Sequence, residues 1–330
     1  MNYTRSGESS FHIPRSSLVA AAALILSTTA YAQNYPVKPV RIIVPVAPGG
    51  GTDPQARLLA RKFQESMGQT FVVENRTGAA SMIGTEFVVR APADGYTLLC
   101  AASTLSGAPS LQKNLSFDVV RDLAPVGQIS SAATFLVAHP SVPATSVKEF
   151  IALAKKRAGK MNAGSGGVGS ANHLSLEMLK QRAGIQATHI AYKGSGPATI
   201  ALMSGEVDFS FAGALTSLPH IRSGRIKALA VTTLKPSSLL PDVPPLASLY
   251  PGFESTNWYA VFAPAGTPEA IVNKISQEIA RAIRLPDVRE FMAREGADPV
   301  GSTPQEFTAF FRSEVSRYAQ VIKSANIRLE

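Results

Sequence analysis

The chain has 330 residues, more than one hydrophobic core usually organises, so we expect two domains. Its formal net charge is +9, but Lys and Arg are scattered instead of interleaved with aromatic residues, which argues against a nucleic-acid-binding protein. The single cysteine, Cys100, excludes disulfides within the chain and cysteine-rich metal sites. Its position in an apolar run predicts a buried strand residue rather than a reactive thiol.

The N-terminus has the pattern of a secretory signal. Two arginines precede the apolar run 18–26, and Ala30-Tyr31-Ala32 follows with the small-x-small form of a cleavage site. The apolar stretch is too short to span a bilayer. We therefore predict that residues 1–32 are a signal peptide cleaved after Ala32, and that the mature protein is periplasmic.

A strand, a glycine turn and a helix open the mature chain. Residues 40–46 are rich in Val and Ile and predict a buried strand, and the glycines at 49–51 leave the backbone uncovered. Apolar residues then recur at helical spacing, with Thr52 or Asp53 as the expected N-terminal cap and Gly68 as the left-handed C-terminal cap. Bare amides and the positive end of a helix dipole at one point predict an anion site.

Alternating strand and helix patterns continue along the chain, with a proline-rich irregular segment at 235–252. Such alternation is typical of a mostly parallel sheet with ligand crevices at the carboxyl ends of its strands. The further predicted strands are 70–74, 96–102, 160–163, 188–192, 207–211 and 226–232, with long extended runs at 125–139 and 257–263. The further predicted helices are 81–90, 146–159, 170–182, 215–223, 269–283, 287–295 and 304–324, and one entered at Pro197.

Two extended runs, near 125–139 and 255–263, are the places where we expect the chain to cross between domains. We therefore predict a first lobe formed by 33–132 plus 254–330 and a second lobe formed by 133–253. The two crossings would act as a hinge.

Trp258, the single tryptophan, falls in the second crossing. We expect its indole ring within reach of the cleft mouth, where lobe closure would change its exposure to water and its fluorescence. Packing in an apolar core is at least as common for a tryptophan in an extended segment, and the sequence leaves both roles open.

Three loops rich in Gly, Ser and Thr stand between a strand and a helix, at 47–53, 164–170 and 192–197. Because structural turns use the same residues, one such loop alone would be ambiguous. The first loop belongs to one lobe and the other two to the second, so closing the hinge would bring them face to face. Three loops at corresponding strand ends favour a binding site.

Cofactor and metal motifs are weak or missing. Gly164-x-Gly166-x-x-Gly169 has the spacing of a dinucleotide-binding loop, but the next strand ends without the acidic residue that would hold the ribose. The histidines stand far apart, and no paired-carboxylate or His-x-x-x-His spacing occurs. We predict no cofactor and no metal.

The segment around Ser165 resembles a nucleophile elbow, which would require a later acid and histidine. His173, His189 and His220 are the candidate histidines. Asp208 followed by His220 has the right order but cramped spacing for a hydrolase. No catalytic residue is predicted, and a hydrolase using Ser165 is kept only as an alternative.

Eight segments of the mature chain carry a specific resemblance to a known family. They are YPVKPVRIIVPVAPGGGTDPQAR (35–57), VVENRTGAASMIG (72–84), PADGYTLL (92–99), GSGGVGSANHLSLEML (164–179), HIAYKGSGPATIALMSGEVDFSF (189–211), RIKALAVTT (225–233), LPDVPPLASL (240–249) and WYAVFAPAGTP (258–268). On these segments the chain resembles the tripartite tricarboxylate transporter substrate-binding family, the TctC or Bug group of periplasmic solute receptors.

The resemblance implies an α/β fold of the type II periplasmic-binding-protein class. Its two lobes would close over a small carboxylate held largely by backbone amides and ordered water. It further implies a monomeric receptor, not an enzyme, that delivers its solute to integral membrane transporter subunits. Carried over position by position, the ligand contacts would be Val46, Pro48, Gly49, Gly50, Thr52 and Asp53 on one lobe, and Ser165, Ser170, His173, Tyr192, Lys193, Gly194 and Ala212 on the other.

Two positions depart from the family pattern: Val46 stands where an aromatic residue is common, and Thr77 replaces the usual proline of ENRPG. The first departure leaves the identity of the carboxylate open. An amino-acid solute would also need a negative partner for its ammonium group, and the sequence does not decide between Asp53 and Asp208. It also does not distinguish delivery to a transporter from signalling to a membrane sensor.

Overall fold

The computed structural model describes residues 35–48, 51–112 and 115–327. The chain divides into two compact units, Met1–Val37 and Lys38–Glu330, and the architecture below belongs to the second. The predicted signal peptide, residues 1–32, lies outside the described residues, as do Gly49 and Gly50.

Strands form where short apolar runs are bounded by turn residues. In the described ranges the strands are β1 (Val40–Val44), β2 (Phe71–Asn75), β3 (Thr97–Ala102), β4 (Leu123–Ala132), β5 (Thr134–Ala138), β6 (Asn162–Ser165), β7 (Thr188–Ala191), β8 (Phe209–Gly213), β9 (Lys227–Val231), β10 (Asn257–Pro264) and β11 (Ala297–Pro299).

Helices alternate with these strands, as the apolar spacing of the sequence predicts. In the same ranges the α-helices are α1 (Thr52–Met67), α2 (Met82–Val89), α3 (Thr104–Leu111), α4 (Val147–Arg157), α5 (Ala171–Ala183), α6 (Ser195–Ser204), α7 (Ala214–Arg222), α8 (Glu269–Ala282), α9 (Pro286–Arg294) and α10 (Pro304–Ser324). Two short 3₁₀ turns, Ala79–Ser81 and Leu246–Ser248, complete the regular structure of the described ranges.

Two mixed sheets organise the fold, which confirms the predicted α/β class. The first sheet has the order β11-β4-β10-β3-β1-β2, and β1 is parallel to both β2 and β3. The second has the order β7-β6-β8-β5-β9, and β6 is parallel to both β7 and β8. In each sheet the remaining pairs are antiparallel.

The chain passes from the first sheet to the second at Ala133, between β4 and β5, and returns through 232–256. The C-terminal helix α10 also packs against the cores of both sheets. Its Phe307 and Phe311 pack in the core of the first sheet, whereas Tyr318 and neighbouring apolar residues pack in the core of the second. The lobe boundaries at 33–132 plus 254–330 and 133–253 stay a prediction.

Several local predictions are corrected. Neither Thr52 nor Asp53 caps α1: Gly51 occupies the N-cap position, and both residues lie inside the first turn. The C-terminal cap is confirmed, since Gly68 has a φ of 70°. Helix α3 and the short strand β11 were not predicted from the sequence.

The prediction that Trp258 reaches the cleft mouth is wrong. Its side chain is fully buried in the core of the first sheet, where its ring packs edge-on against Phe307, Phe310 and Phe311 of α10. Its Nε1–H donates to the Glu314 carboxylate at 3.1 Å, which satisfies the one polar atom of the indole. Trp258 therefore has the core-packing role that the sequence left as the alternative.

Candidate functional site

Six helices begin after parallel strands, at the carboxyl edges of the two sheets. On the first sheet β1, β2 and β3 lead to α1, α2 and α3, and on the second sheet β6, β7 and β8 lead to α5, α6 and α7. Parallel strands end at the same edge, so each sheet gathers three helix N-termini there. Their unsatisfied amides and positive dipole ends make both edges attractive to an anion.

A cavity of about 190 Å³ lies between these two edges. Pockets for drug-sized ligands are larger, on the order of 300 to 1,000 Å³, so this cavity suits a solute of few heavy atoms. Its lining comes from both sheets: Val46, Ser81, Thr104, Ala108, Leu111 and Gln112 on the first side, and Gly166, Gly167, Val168, Gly169 and Ser170 on the second. A larger and more open hollow on α1 and β2 shares no residue with the three predicted loops.

On the first side, Val46 lines the cavity and Pro48 is exposed beside it. Gly49 and Gly50 lie outside the described residues. Gly51 packs so closely against Tyr259 that a Cβ there would collide with the phenol oxygen. Thr52, at the start of α1, is buried.

Asp53 anchors this loop from within the protein. Its side chain is only 7% exposed, and its carboxylate accepts hydrogen bonds from Arg57 Nε at 3.0 Å and from Asn75 Nδ2 at 2.9 Å. Asn75 Nδ2 also donates to the carbonyl oxygen of Val46 at 2.9 Å. Asp53 thus connects α1 to the end of β2, and through Asn75 to the loop that lines the cavity.

Asp208 lies at the opposite end of the second sheet from the cavity. It directly precedes β8, and its carboxylate accepts a hydrogen bond from the Asn162 amide at 2.7 Å, at the start of β6. Arg157 lies 3.6 Å from the same carboxylate. Asp208 is therefore separated by the length of the sheet from the edge where Ser165 ends β6.

On the second side, Ser170 lines the cavity and caps α5, because its Oγ accepts a hydrogen bond from the His173 amide at 3.3 Å. Ser165 ends β6 and is fully buried, and Ala212 is buried on β8. The Gly194 amide donates to Gly166 O at 3.1 Å, which connects the 164–170 and 192–197 loops.

The hydroxyl group of Tyr192 has its hydrogen-bond partner outside this network. Tyr192 donates its hydroxyl proton to Glu206 at 2.7 Å, and burial together with that carboxylate raises the pKa of Tyr192 to about 12. Lys193 is exposed to solvent. The Tyr192 amide donates to Ser165 O at 2.9 Å, so this segment meets the site through its main chain.

Sequence reasoning missed Ser81, Thr104 and Gln112, which line the cavity from the first side. Thr104 begins α3, a helix that the sequence pattern did not predict. Ser81 has a φ of 78°, a conformation that favours glycine, so no composition signal marks it. Two hydroxyl residues, Ser103 and Thr104, follow a predicted parallel strand, and this was the one available signal for Thr104.

Ser165 and His189 have one feature of a nucleophile and base pair, since Ser165 Oγ lies 2.6 Å from His189 Nε2. The other features of a nucleophile site, an accessible hydroxyl and a carboxylate that orients the base, differ here. The Ser165 side chain has no exposed surface, and the carboxylate of this cluster, Glu177, pairs with His173 at 3.7 Å and with Lys180 at 2.8 Å.

The glycines of the dinucleotide-like motif have structural explanations. A Cβ at Gly166 would lie 3.1 Å from the Ser195 amide nitrogen, and Gly169 has a φ of 73°. Among the described residues no three His, Cys, Asp or Glu side chains are grouped to hold a metal ion. No helix within those residues is long and apolar enough to span a membrane.

Comparison with known proteins gives a consistent result. The family profile described as the tripartite tricarboxylate transporter family receptor, TctC, matches residues 55–327. Protein BugT of Bordetella pertussis is 37% identical over 321 residues, covering 95% of this chain and 98% of BugT.

Two solved structures are similar in both sequence and fold. The R. palustris protein Rpa4515 with adipate is 33% identical, with a TM-score of 0.78, over 89% of this chain and 100% of that protein. MatC from Rhodopseudomonas palustris with bound malate is 31% identical, with a TM-score of 0.74, over 87% of this chain and 100% of MatC. With its two sheets and the cavity between them, the chain belongs to the TctC family of periplasmic solute-binding receptors.

Proposed function

We propose that the protein captures a small carboxylate in the cavity between its two sheets and delivers it to the membrane subunits of a tripartite tricarboxylate-type transporter. The observation that carries this proposal is a cavity of about 190 Å³ between the two sheet edges, whose wall includes Ser81, Thr104 and Ser170 at the N-termini of α2, α3 and α5. Such a site stabilises negative charge without a metal and without a long cationic side chain that must be ordered on binding.

The donors for a carboxylate would be main-chain amides of the three loops, together with hydroxyls at the cavity wall. Charge-assisted hydrogen bonds from several such donors are individually strong. Of the side chains that line the cavity, those with donor groups are Ser81, Thr104, Gln112 and Ser170. We retain Val46, Pro48, Gly49, Gly50, Thr52, Ser165, Ser170, Gly194, Ala212 and the main chains of Tyr192 and Lys193 as proposed contacts. For the two other predicted contacts, Asp53 and His173, we propose that they support the loops instead, because their hydrogen bonds are to protein groups.

We propose that the solute lacks an ammonium group. Asp53 is held by Arg57 and Asn75, and Asp208 lies at the far end of its sheet. Neither carboxylate is therefore placed to pair with an amino group in the cavity. Adipate and malate, the solutes of two relatives, are both dicarboxylates without an amino group. A dicarboxylate of this size is the solute class that we favour.

We further propose that the signal peptide is cleaved after Ala32, that the mature protein is a monomer, and that its two lobes close on the solute. The two connections at Ala133 and 232–256 would provide the hinge. N-terminal sequencing of the exported protein should begin at Gln33, and an intact Met1 would contradict export by this route. Small-angle scattering should show a smaller radius of gyration with bound solute, and an unchanged radius would contradict closure.

Calorimetry with a panel of mono-, di- and tricarboxylates tests the proposed solute class, and mass spectrometry of the small molecule that copurifies identifies the member. We expect reversible binding of one solute per chain and no turnover. The distance of 2.6 Å between Ser165 Oγ and His189 Nε2 makes a hydrolase the alternative to exclude. Ester or amide turnover that disappears in Ser165→Ala would show that the protein is a hydrolase and would contradict the receptor proposal.

A further inference from the structure

Two histidines behind the cavity form a stacked pair. The rings of His173 on α5 and His189 on β7 lie with centroids 3.7 Å apart and with an angle of 8° between their planes. Neither ring is part of the cavity wall. Each ring instead contacts one residue of segment 165–170, and the loop 166–170 of this segment forms part of the cavity wall.

The His189 ring engages the Ser165 hydroxyl. Its Nε2 lies 2.6 Å from Ser165 Oγ, and this oxygen also accepts a hydrogen bond from the Gly167 amide at 3.2 Å. Ser165 Oγ lies 3.1 Å from Gly167 O as well. The Ser165 hydroxyl has one proton to donate, and either His189 Nε2 or Gly167 O can accept it. The protonation of His189 Nε2 therefore decides which of these bonds forms, and with it how Gly167 is held.

The His173 ring engages the other end of the loop, and its contacts define a tautomer. The Gly169 amide donates to His173 Nδ1 at 3.0 Å, so this nitrogen carries a lone pair. The ring proton must then be on Nε2, which faces Glu177 Oε1 at 3.7 Å. Protonation of Nδ1 would place two N–H groups against each other and break the bond to Gly169.

The surroundings of the pair favour an uncharged His189 ring. The charged or titratable neighbours of His189 are His173, Glu177 and Lys180 on α5, and β6 contributes Ser165. Burial, followed by His173, lowers the pKa of His189 to about 4. Burial raises the pKa of Glu177, but His173 and Lys180 outweigh it and the net shift is downward, so Glu177 stays ionised beside His173.

We propose that His173 and His189 are positioning residues for solute binding: through one ring nitrogen each they hold Gly169 and Ser165, and so fix the shape of the loop 166–170 that faces the solute. His173 then acts behind the loop, because Gly169 and Glu177 occupy its two nitrogens and His189 covers its face. The effect on solute affinity rests on the proposed function, whereas the effect on the loop does not.

The first experiment uses the solute-free protein and measures hydrogen exchange of the Gly167 and Gly169 amides. His189→Phe and His173→Phe keep a ring for stacking but remove the ring nitrogens, and each should accelerate exchange by about 3- to 10-fold at the loop amide that its ring supports. The conservative variants His189→Gln and His173→Asn retain a polar atom near the lost nitrogen and should restore most of the protection. His139→Phe, the same change at the opposite end of this sheet, is the matched control and should leave both amides unchanged.

Nitrogen-15 spectra of the wild-type imidazoles provide a test that does not depend on the folding of any variant. We expect His173 as the Nε2–H tautomer and His189 uncharged at neutral pH. A His173 ring with its proton on Nδ1, a His189 ring that is charged at neutral pH, or Phe variants with unchanged Gly167 and Gly169 exchange would overturn the proposal.

Calorimetry with adipate and malate then connects the loop to binding. The Phe variants should lose about 3- to 10-fold in affinity, and the Gln and Asn variants should recover it. If neither solute binds the wild-type protein, the proposed solute class fails while the exchange result still decides the positioning role. If the loop loosens but affinity stays constant, the pair supports the loop without positioning it for the solute, and the proposal is contradicted.

Discussion

Gly169 offers a sharp test of the cavity, because its substitution by alanine has two separable effects. Its φ of 73° lies in the left-handed region, where a non-glycine residue costs about 1–2 kcal/mol of unfolding free energy. In addition, a Cβ there would lie 2.5 Å from Leu111 Cδ1, which reaches across the cavity from α3. Leu111 must move, and such overpacking costs about 1 kcal/mol more.

Gly184→Ala is the matched control, since Gly184 has a φ of 61° at the other end of α5 and nothing lies within 4 Å of a Cβ there. Both variants should lose stability in denaturant unfolding. Only Gly169→Ala should lose solute affinity in calorimetry, by about fivefold or ~1 kcal/mol, because the displaced Leu111 side chain would occupy part of the cavity.

Adding Leu111→Ala removes the collision and should restore the affinity of Gly169→Ala but not the stability lost to φ. If Gly169→Ala and Gly184→Ala bind solute equally well, the cavity between α3 and the 166–170 loop is not the binding site.

Three further predictions follow from single side chains. Ser165→Ala should lower solute affinity by about 1–3 kcal/mol in calorimetry, because the Gly167 amide and His189 lose a buried partner; unchanged affinity would place Ser165 outside the site. Trp258 fluorescence should stay constant on solute binding, because the ring is enclosed by α10 and Glu314; a saturable shift in emission would contradict its static packing. The pKa of His189 is lowered from 6.5 to about 4, so the unfolded chain binds this proton more readily and the free energy of unfolding should fall as pH drops from about 6.5 towards 4. Because the His189 side chain is partly exposed, this loss of unfolding free energy is limited to about 1–2 kcal/mol. The stability of His189→Gln, measured by denaturant unfolding, should not show this pH dependence.

Most of the fold follows from local patterns, and the exceptions have physical causes. Helix α3 was missed because its sequence contains Gly107 and Pro109, which disfavour helix in isolation. The helix is stabilised by packing instead, with Leu105 and Ala108 buried and α10 lying against it. Ser81 and Thr104 were missed for related reasons, because the first has a left-handed φ and the second begins this helix.

The loops of the site could be predicted, whereas the roles of single side chains within them could not. Glycine-rich turns at strand ends indicated the 47–53 and 164–170 loops. Residues 166–170 line the cavity, and so does Val46, which directly precedes the first loop. The contact between Ser165 and His189 depends on the register in which Ala163 pairs with His189 across β6 and β7, a long-range property that local patterns do not contain. Asp208 lies next to the amino end of both the predicted strand 207–211 and the observed β8, which is the end opposite the cavity.

The proposed receptor recognises a carboxylate as an anion and leaves it chemically unchanged. Calorimetry that compares adipate and malate with their dimethyl esters, with the ester content of each sample measured afterwards, tests both parts at once. At least one free acid should bind with a stoichiometry of one, its ester should bind at least about 100-fold more weakly because the charge-assisted hydrogen bonds are lost, and the ester should be recovered intact. Equal binding of acid and ester would contradict an anion site, and consumption of the ester would contradict a receptor without chemistry.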